Sequence, residues 1–499
     1  MKKTAFIHIN SNDSVVVALR KINSGEVIDV LDKSITVKGN IPPGHKIAIK
    51  EIAKGEKIFK YGYPVGIASE PIDAGSWVHS HNVETSLHGK REYVYQPQFE
   101  EPKKTGKEMQ FNGYQREDGQ AGIRNHVFII PTVFCANGVI TKLAEMANLA
   151  YPKDENFDGF LPLCHPYGCS QTGKDLEYTQ TILANLAQNP NAGSVLIVSL
   201  GCEINSLDVF KPYLGEINEK RIKFLTLQEV EDEFEVGMKL LKELYDYARA
   251  FKREPLPISK LCIGVNCGGS DGLSGITANP LVGEISNKVT SQGGSIIMTE
   301  VPEMFGAEQI LMNRAANKEV YEKIINLIVN YKGYFAKYGE EASENPTQGN
   351  RAGGITTLEE KSLGCILKGG KATVTDVLEY GERLKTAGLN LLSGPGNDLV
   401  GITAQFAAGC NLLIFTTGRG TPGGFAGPTL RISTNSELYN RKKHWNDFNA
   451  GRLLDGEDMT ELADELMEMI LKVASGQLKT KTEINNYYEI GILRDGVTL

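Results

Sequence analysis

Features typical of nucleic-acid-binding and membrane proteins are missing from this 499-residue chain. Acidic residues (61) outnumber basic ones (53), which gives a formal net charge of −8 and no basic excess for phosphate backbones or anionic lipids. No run approaches the roughly 18 apolar residues of a membrane span. The start, MKKTAFIHINSNDSVV, is basic, but His8, Asn10, Asn12 and Asp13 interrupt its apolar stretch, which argues against a signal peptide. We therefore expect a cytoplasmic protein that binds neither nucleic acid nor membrane.

Cysteine and histidine are both scarce, with eight of each. The cysteines are dispersed and none forms a CxxC pair, which favours reduced thiols over a disulfide framework or a structural zinc ribbon. Two of the histidines, His79 and His81, stand one residue apart in the stretch AGSWVHSHNVET. This concentration makes the stretch a candidate metal site.

The chain divides into segments of different composition. Residues 1–90 contain short β-branched runs separated by turn residues, which predicts a small β-clip module. A polar stretch with two prolines predicts a linker at 91–106. Strand-like and helical runs alternate through 107–255 and again through 256–499, and this alternation predicts two α/β parts with mostly parallel sheets.

The histidine pair suits a metal ion if its stretch is a strand, because residues i and i+2 then point to the same face. Glu84 or a residue from another domain would complete the ligand set, and two histidines with a carboxylate suit Fe(II) or Mn(II). Cys135, Cys202 and Cys267 each follow a predicted strand, where parallel sheets bind ligands, and are further metal-ligand candidates. The alternatives are a surface pair without function and small residues that pack at strand ends.

Gly-rich loops are concentrated in the last segment, in NCGGSDGLSG, LGCILKGGK, LLSGPGNDLVG and TTGRGTPGGFAGP. Small residues let backbone amides approach a ligand closely, although turn formation explains such loops as well. Basic side chains in Gly-containing loops of an acidic protein are candidates for binding a carboxylate. These candidates are Arg124, Lys368, Lys371 and Arg419, each of which could instead be a solvated loop charge.

The stretch CHPYGCSQTGKD, residues 164–175, approaches a phosphate-binding loop and then departs from it. Residues 168–174 fit GxxxxGK, but Asp175 stands where that motif needs Ser or Thr for magnesium. We therefore reject nucleotide binding. The loop still predicts an acid–base or anion-binding cluster after a strand, with His165 as its first catalytic candidate.

Longer motifs run along the whole chain, among them HSHN, REDGQAGIRN, HPYGCSQ, NAGSVLIVSLGCE, CGGSDGLSGITANP, TEVPEMFGAEQ, YGERLKTAGLNLLSGPGND and TTGRGTP. Together they resemble the altronate/galactarate dehydratase family. The resemblance implies an N-terminal SAF (β-clip) domain and a hydro-lyase body. It also implies dehydration of D-altronate to 2-dehydro-3-deoxy-D-gluconate in hexuronate breakdown, with Fe(II) or alternatively Mn(II) as cofactor.

The implied reaction needs a base for the C2 proton, an acid for the departing C3 hydroxyl and a metal that stabilises the enediolate. We expect a composite site in which the histidines of the first module reach the strand-end loops. The catalytic candidates are His165, Glu203, Glu303 and Lys361. The candidates for binding substrate hydroxyls are Asn266, Ser270 and Asp271.

Alternatives remain open at this point. The chain could act on galactarate or remove sulfite from a related 2-hydroxy acid. It could bind a sugar acid without chemistry, or it could be an iron–sulfur dehydratase that uses several of its cysteines. The sequence also leaves a homo-oligomer open.

Overall fold

The computed structural model describes residues 5–87, 92–98 and 108–498. Most of the predicted linker, 91 and 99–106, lies outside the described residues. The described residues form an antiparallel β module followed by two bodies that contain parallel sheets and helices, so the predicted multidomain α/β fold is confirmed. The predicted segment boundaries stay predictions. Within the described ranges, no helix is long and apolar enough to cross a membrane.

The N-terminal module consists of short antiparallel strands, because alternating apolar residues bury one face of each run and Gly, Pro and Asp turns separate the runs. The strands are β1 (Phe6–Ile7), β2 (Val15–Ala18), β3 (Val27–Val30), β4 (Lys33–Thr36), β5 (Lys46–Ala48), β6 (Lys57–Lys60), β7 (Tyr63–Ala68), β8 (Trp77–Val78) and β9 (Val83–Glu84). One sheet has the order β1-β2-β5-β8 and another β6-β7-β9, and β3 pairs with β4. Val16, Ile22 and Ile47 are fully buried between them.

The second body contains a parallel sheet with helices. Its strands are β10 (Gln110–Gln115), β11 (Ala121–Gly122), β12 (His126–Pro131), β13 (Gly159–Pro162), β14 (Ala192–Ser199), β15 (Ile222–Thr226) and β16 (Arg253–Pro257). Its helices are α1 (Asn137–Ala150), α2 (Gly173–Ala187), α3 (Leu207–Phe210) and α4 (Glu233–Arg249). The parallel sheet has the order β13-β12-β14-β15, and β11-β10-β16 form a separate antiparallel sheet. The strands β12 and β14 are buried along their whole length, as expected for strands covered on both faces.

The third body is larger and repeats this architecture. Its strands are β17 (Cys262–Cys267), β18 (Ser295–Met298), β19 (Val374–Leu378), β20 (Gly388–Leu392), β21 (Leu412–Thr417), β22 (Thr429–Ser433) and β23 (Phe448–Asn449). Its helices are α5 (Ala278–Ser291), α6 (Glu308–Met312), α7 (Lys318–Lys337), α8 (Gln348–Ala352), α9 (Leu358–Cys365), α10 (Asp398–Ala407), α11 (Ser436–Arg441), α12 (Met459–Ala474) and α13 (Lys481–Ile484). The strands form one parallel sheet in the order β19-β20-β18-β17-β21-β22-β23.

Single 3₁₀ turns join several of these elements. They occupy Phe134–Ala136, Lys211–Leu214, Leu227–Glu229, Ile258–Lys260, Val301–Met304, Ala342–Glu344, Ile366–Gly369 and Ala450–Asp455.

Local sequence signals set the ends of the helices that matter most for function. Thr357 accepts a hydrogen bond from Glu360 N and so caps α9. Asn397 accepts one from Val400 N and caps α10. Both helices therefore begin at residues that satisfy the otherwise unpaired first-turn amides. Their positions determine where Lys361, Cys365 and Asp398 stand.

The N-terminal module docks on the third body through a buried ionic contact. Lys46 Nζ lies 2.8 Å from Glu360 Oε2, and Lys60 Nζ lies 2.8 Å from Glu360 Oε1. All three side chains are almost completely buried. Burial opposes the charged form of Glu360, but the two ammonium groups outweigh it and hold its pKa well below its usual range. This contact brings the histidines of the first module next to the third body.

Candidate active site

The parallel sheet of the third body presents ionisable side chains at the carboxyl ends of its strands. Cys267 is the last residue of β17, and Glu300 and Glu303 follow β18. In the sheet, β18 lies next to β17 on one side, and β22 lies next to β21 on the other. The direction in which successive strands are added therefore reverses between β17 and β21. Ligands bind outside the carboxyl ends of strands at such a switch point. The topology therefore favours this edge as a binding site.

Thiol and carboxyl groups converge at this edge. Cys267, Glu300 and Glu303 meet Cys365 of α9, all four are buried, and one donor atom from each lies within 4.8 Å of the others. The two sulfurs are 3.7 Å apart, and each lies 3.5 Å from Glu303 Oε2. We refer to these four residues as the thiol–carboxylate cluster.

Two buried lysines balance the charge of this cluster. Lys361 Nζ lies 2.7 Å from Glu303 Oε1, and Lys368 Nζ lies 2.6 Å from Glu300 Oε2. Lys361 also donates a 2.9 Å hydrogen bond to Asn345 Oδ1. Charges at such depth are tolerated only when they are paired. The pairs therefore allow ionised groups to persist in the interior.

The members of the cluster differ in their protonation. Contact with Cys365 lowers the pKa of the Cys267 thiol to about 6. Burial raises the pKa of Glu300 well above its ordinary value. Burial also acts on Glu303, but Lys361 and Lys368 outweigh it and lower the pKa of this carboxyl. Ionised donors thus stand beside a carboxyl that favours its proton, an arrangement typical of functional sites.

The thiol–carboxylate cluster fits a divalent metal ion. Metal–sulfur distances near 2.3 Å place two ligands on one ion at most about 4.6 Å apart, and the donor atoms here are grouped on that scale. Thiolates favour iron or zinc over magnesium and calcium, and carboxylates are ligands for iron and manganese as well. Glu300 also has a left-handed backbone, with φ +67°. Such strain, roughly 1–3 kcal/mol, is concentrated at functional sites.

Two further polar groups near the cluster have no hydrogen-bond partner in the part of the chain that the structure describes. A Cβ at position 268 would come 3.1 Å from Asp398 Cγ, so Gly268 leaves room for that carboxyl group. Burial raises the pKa of Asp398 to about 7, and no hydrogen bond to its carboxylate occurs among the described residues. Asn266 is fully buried, and neither its side-chain nitrogen nor its oxygen has a partner within residues 5–87, 92–98 and 108–498. Buried polar atoms without partners are rare in proteins and suggest that a ligand supplies the missing bonds.

Two cavities border this region. A cavity of about 10 Å³, room for about one water molecule, touches Cys267, Ser270 and Lys361 and is closed by Lys60 and Tyr61 of the N-terminal module. A groove of about 530 Å³ lies farther out, between the N-terminal module and the loops after β17 and β21. Its volume is within the range of small-molecule sites. Basic side chains around it are Arg20, Arg419 and Arg441.

The histidine pair lies in a turn, which corrects the prediction that it stands on a strand. β8 ends at Val78, and Asn82 N donates to His79 O in the turn that follows. His79 stacks on Trp77 and meets His45 edge-on at 4.9 Å, while His81 is exposed. His79 Nδ1 is buried and has no partner among the residues that the structure describes, and burial lowers the pKa of His79 to about 4. A neutral imidazole with a free nitrogen is a competent metal ligand, although no group of three donors forms here among the described residues.

Two catalytic candidates of the second body, His165 and Glu203, form hydrogen bonds within the protein. His165 Nε2 lies 2.7 Å from Pro131 O, and Nδ1 accepts from Tyr167 N, so both ring nitrogens bind backbone. Burial lowers the pKa of His165 to about 4. Glu203 accepts hydrogen bonds from Thr132 Oγ1 at 2.6 Å and from Gly201 N at 2.7 Å. These contacts favour a role in holding the loops for both residues.

Among the substrate-binding candidates, Arg124 and Asp271 are bound within the protein. Arg124 is buried and pairs with Glu483 at 2.6 Å. The Asp271 carboxylate accepts from Thr434 Oγ1 and Asn435 Nδ2, although it also borders the outer groove. Lys371 donates its backbone N to Asn287 Oδ1.

The remaining candidates are spread between the bodies. Ser270 lines the small cavity, Arg419 is exposed in the groove, and Lys368 joins the cluster lysines. Glu84 is exposed on β9, away from any group of three metal donors among the described residues. Cys135 and Cys202 are exposed on the second body.

The sequence analysis missed Glu300, Cys365 and Asp398. Glu300 stands three residues before the predicted Glu303, and Cys365 lies within LGCILKGGK, a loop noted only for its glycines. Asp398 ends the motif LLSGPGND. All three are in quoted motifs, but none has a spacing that links it to Cys267. The interactions join residues far apart in the chain, and the charge interaction of Cys267 with Asp398 spans 131 positions (398 − 267 = 131).

Known sequence families match nearly the whole chain. Residues 4–86 match a model described as altronate/galactarate dehydratase SAF domain, 113–249 match D-galactarate dehydratase/altronate hydrolase, second domain, and 258–498 match D-galactarate/altronate dehydratase, C-terminal. Two altronate dehydratases, from Bacillus subtilis (strain 168) and Escherichia coli (strain K12), are 50% and 46% identical over 99% of this chain and 100% of their own lengths. A galactarate dehydratase (L-threo-forming) from Escherichia coli (strain K12) is 32% identical over 88% of this chain and 87% of its own length.

Proposed function

The chain belongs to the D-galactarate/altronate dehydratase family, and from that premise we propose that it is a hydro-lyase that removes water from D-altronate. The observation that carries the proposal is the end-to-end identity of about half with relatives named altronate dehydratase. The lower identity with the galactarate enzyme supports galactarate only as the alternative substrate. The product would be 2-dehydro-3-deoxy-D-gluconate, an intermediate of hexuronate breakdown.

The reaction removes the proton at C2, next to the carboxylate, and the hydroxyl group at C3. The resulting enol rearranges to the 2-keto product. A carboxylate's α-proton is weakly acidic, so the site must stabilise the negative charge that develops on the carboxylate oxygens. Lys361 and Lys368 are suited to this task because their ion pairs keep them protonated.

We assign the proton transfer to Asp398. Its carboxyl group lies over Gly268 without a hydrogen-bond partner among the described residues, so it is free to contact a substrate. One carboxyl group at this position can take the proton from C2 and deliver it to the departing hydroxyl. Asn266, with two unpaired polar atoms, would bind a substrate hydroxyl.

The thiol–carboxylate cluster is the first candidate for the cofactor site. Its donors suit Fe(II), with Mn(II) as the alternative. A bound divalent ion would act as a Lewis acid toward the substrate carboxylate and a neighbouring hydroxyl. The turn of His79 and His81 stays a second candidate, supported by the free nitrogen of His79.

A composite site is also part of the proposal. Lys60 and Tyr61 of the first module close the small cavity beside Cys267, so the substrate must enter from the groove or displace this module. The groove, with Arg419 at its rim, would attract the anionic sugar acid before its carboxylate reaches the cluster. A cytoplasmic location is supported by the eight cysteines, all of which are free thiols.

An anaerobic substrate and metal panel tests the proposal. Metal-free protein would be assayed with D-altronate, galactarate and sulfolactate after addition of Fe(II), Mn(II), Mg(II) or Zn(II). We expect formation of the 2-keto-3-deoxy acid from D-altronate with Fe(II), together with loss of the C2 proton signal by NMR. Turnover of galactarate alone would contradict the substrate, binding without turnover would support a sugar-acid-binding protein, and full activity with negligible metal would contradict the cofactor.

A separate comparison of variants locates the metal. We expect Cys267→Ser and Cys365→Ser to lower the bound metal measured in the purified protein, while His79→Ala and His81→Ala retain it. The reverse pattern would move the metal to the histidine turn.

A further inference from the structure

Exposed thiols are concentrated at one edge of the second body. Cys135 follows β12, Cys164 and Cys169 follow β13, and Cys202 follows β14, and all four are exposed. The remaining four cysteines are buried. Cysteine is usually among the most buried residue types, and exposed thiols are prone to oxidation. Four of them at the carboxyl edge of one parallel sheet therefore suggest a function.

Backbone hydrogen bonds hold three of the thiol loops together. Phe134 N, beside Cys135, donates to Tyr167 O at 2.9 Å, two residues before Cys169. Asn205 N, three residues after Cys202, donates to Gly168 O at 3.3 Å. The loops of Cys135, Cys169 and Cys202 therefore meet at the end of β12.

Cys164 differs from these three in its surroundings. Its Sγ lies 3.5 Å from Thr141 Oγ1 and 4.0 Å from Asn137 O, along the flank of α1. Its sulfur therefore contacts α1, although its backbone is part of the same loop as Cys169. This makes it an exposed thiol of the same edge that is suited to serve as a control.

The spacing of the thiols argues against one shared ion. Ligands on a single ion lie at most about 4.6 Å apart, and no three of these thiols lie within 4.8 Å of one another in the part of the chain that the structure describes. In an iron–sulfur cluster, by contrast, each thiolate binds a different iron, and the sulfurs stand farther apart. Separate strand-end loops suit the second arrangement.

The surroundings of these loops favour an anionic group. α1, of 14 residues, begins two positions after Cys135, and α2, of 15 residues, begins four positions after Cys169. α2 has no side-chain cap at its N-terminus, whereas α1 continues the 3₁₀ turn Phe134–Ala136, in which Phe134 O already accepts from Asn137 N. The partial positive charge of a helix N-terminus stabilises thiolates and anions nearby.

We infer that Cys135, Cys169 and Cys202 bind an iron–sulfur cluster, a second metal centre on a different sheet from the thiol–carboxylate cluster. This inference does not depend on the proposed dehydration of altronate. It assigns the exposed thiols a ligand class that soft thiolate donors prefer.

Anaerobic purification of the full chain tests the inference. We expect iron together with acid-labile sulfide, a broad visible absorption and, after reduction with dithionite, an electron paramagnetic resonance signal. Cys135→Ser, Cys169→Ser and Cys202→Ser should each lose most of the labile sulfide, whereas Cys164→Ser should retain it. Protein reconstituted with Fe(II) and sulfide should show the same pattern, with circular dichroism used to verify folding.

Thiol footprinting of the wild-type chain provides a test that does not depend on variants. Native protein would be alkylated with iodoacetamide before and after chelation of iron and analysed by mass spectrometry. Cys135, Cys169 and Cys202 should become reactive only after chelation, and Cys164 should react in both states. Absence of labile sulfide after reconstitution, equal loss in Cys164→Ser, or loss only in Cys267→Ser would each overturn the assignment.

Discussion

At the carboxyl edge of the second body's sheet, Glu203 accepts hydrogen bonds from Thr132 and from the backbone of its own loop. At the same edge of the third body's sheet, Glu303 faces two thiols and a lysine. Both carboxyl groups are buried and both have a lowered pKa. The partners differ: neutral donors surround Glu203, whereas charged and titratable groups surround Glu303.

This difference shows that strand-end position alone does not identify a catalytic group. The rule for parallel sheets points to both edges equally. A carboxylate whose lone pairs are filled by hydroxyl and backbone donors is a structural element, because these bonds must break before it can act. A carboxylate beside thiols and an ammonium group can bind a metal or stabilise charge without losing its fold-supporting contacts.

Exchanging each glutamate for glutamine should separate the two edges most strongly. Glu303→Gln should lower turnover by about 100- to 1000-fold, the usual cost of removing one preorganised electrostatic partner, and it should also lower the melting temperature because the buried Lys361 loses its counter-charge. Glu203→Gln should lower only the melting temperature, because it weakens buried hydrogen bonds, and folded protein should retain turnover. Initial rates and thermal melts on both proteins measure this. Loss of turnover in Glu203→Gln at unchanged stability would reverse the comparison.

A substitution in the docking contact of the N-terminal module should have the next largest effect, which is on the stability of docking. Glu360→Gln leaves Lys46 and Lys60 buried without a counter-charge, which costs about 3–5 kcal/mol for a buried pair. Limited proteolysis should then release the module, whereas the exposed control Glu56→Gln should not. A resistant Glu360→Gln protein would contradict the role of this contact.

The same glutamate predicts a dependence on pH. Its pKa is depressed in the folded protein, so its stabilising contribution is present above its ordinary value of 4.5 and is lost as the pH falls below that value toward the depressed one. The wild-type chain should therefore lose docking stability in acid more steeply than Glu360→Gln. Denaturant titrations over a pH series measure the two slopes, and equal slopes would exclude Glu360 as the responsible group.

Removing one thiol from each sheet edge, Cys267 in the third body or Cys164 in the second, should have a smaller effect, which is on metal affinity. Cys267→Ser should weaken divalent metal binding by at least about tenfold, since even outer partners of metal ligands contribute ten- to a hundredfold. Cys164→Ser should leave this affinity unchanged, because its sulfur lies beside Thr141 on another sheet. Competition with a metallochromic chelator measures both constants, and equal affinities would argue against the thiol–carboxylate cluster as the metal site.

Substitution of His165 should have the smallest effect, and that effect should be on stability alone. His165→Ala leaves Pro131 O and Tyr167 N without their buried partner, which should cost about 1–3 kcal/mol of stability. The pH midpoint of turnover should not move, because the ring is not free to exchange protons with a substrate. A shifted midpoint in correctly folded protein would restore His165 as an acid or base.

The sequence predicted the β module, the two α/β parts and the strand-end location of Cys267, because periodicity and turn residues act locally. It also named Glu303, Lys361 and Lys368 as functional residues, although it assigned them to separate roles. It did not predict that these residues pair with one another or that Glu300 and Cys365 join them. Those contacts depend on how α9 packs against the 3₁₀ turn Val301–Met304 that follows β18, which no local pattern specifies.

The sequence by itself determined the class of fold and the family, because motifs and hydrophobic patterns are properties of contiguous residues. The tertiary structure alone decided which of the ionisable residues are free to act. His165 and Glu203 bind backbone, and Arg124 binds Glu483, whereas Asp398 and Asn266 keep polar atoms without partners among the described residues. The reason is physical: burial makes every polar atom seek a partner, and only the packed chain determines whether that partner is already present.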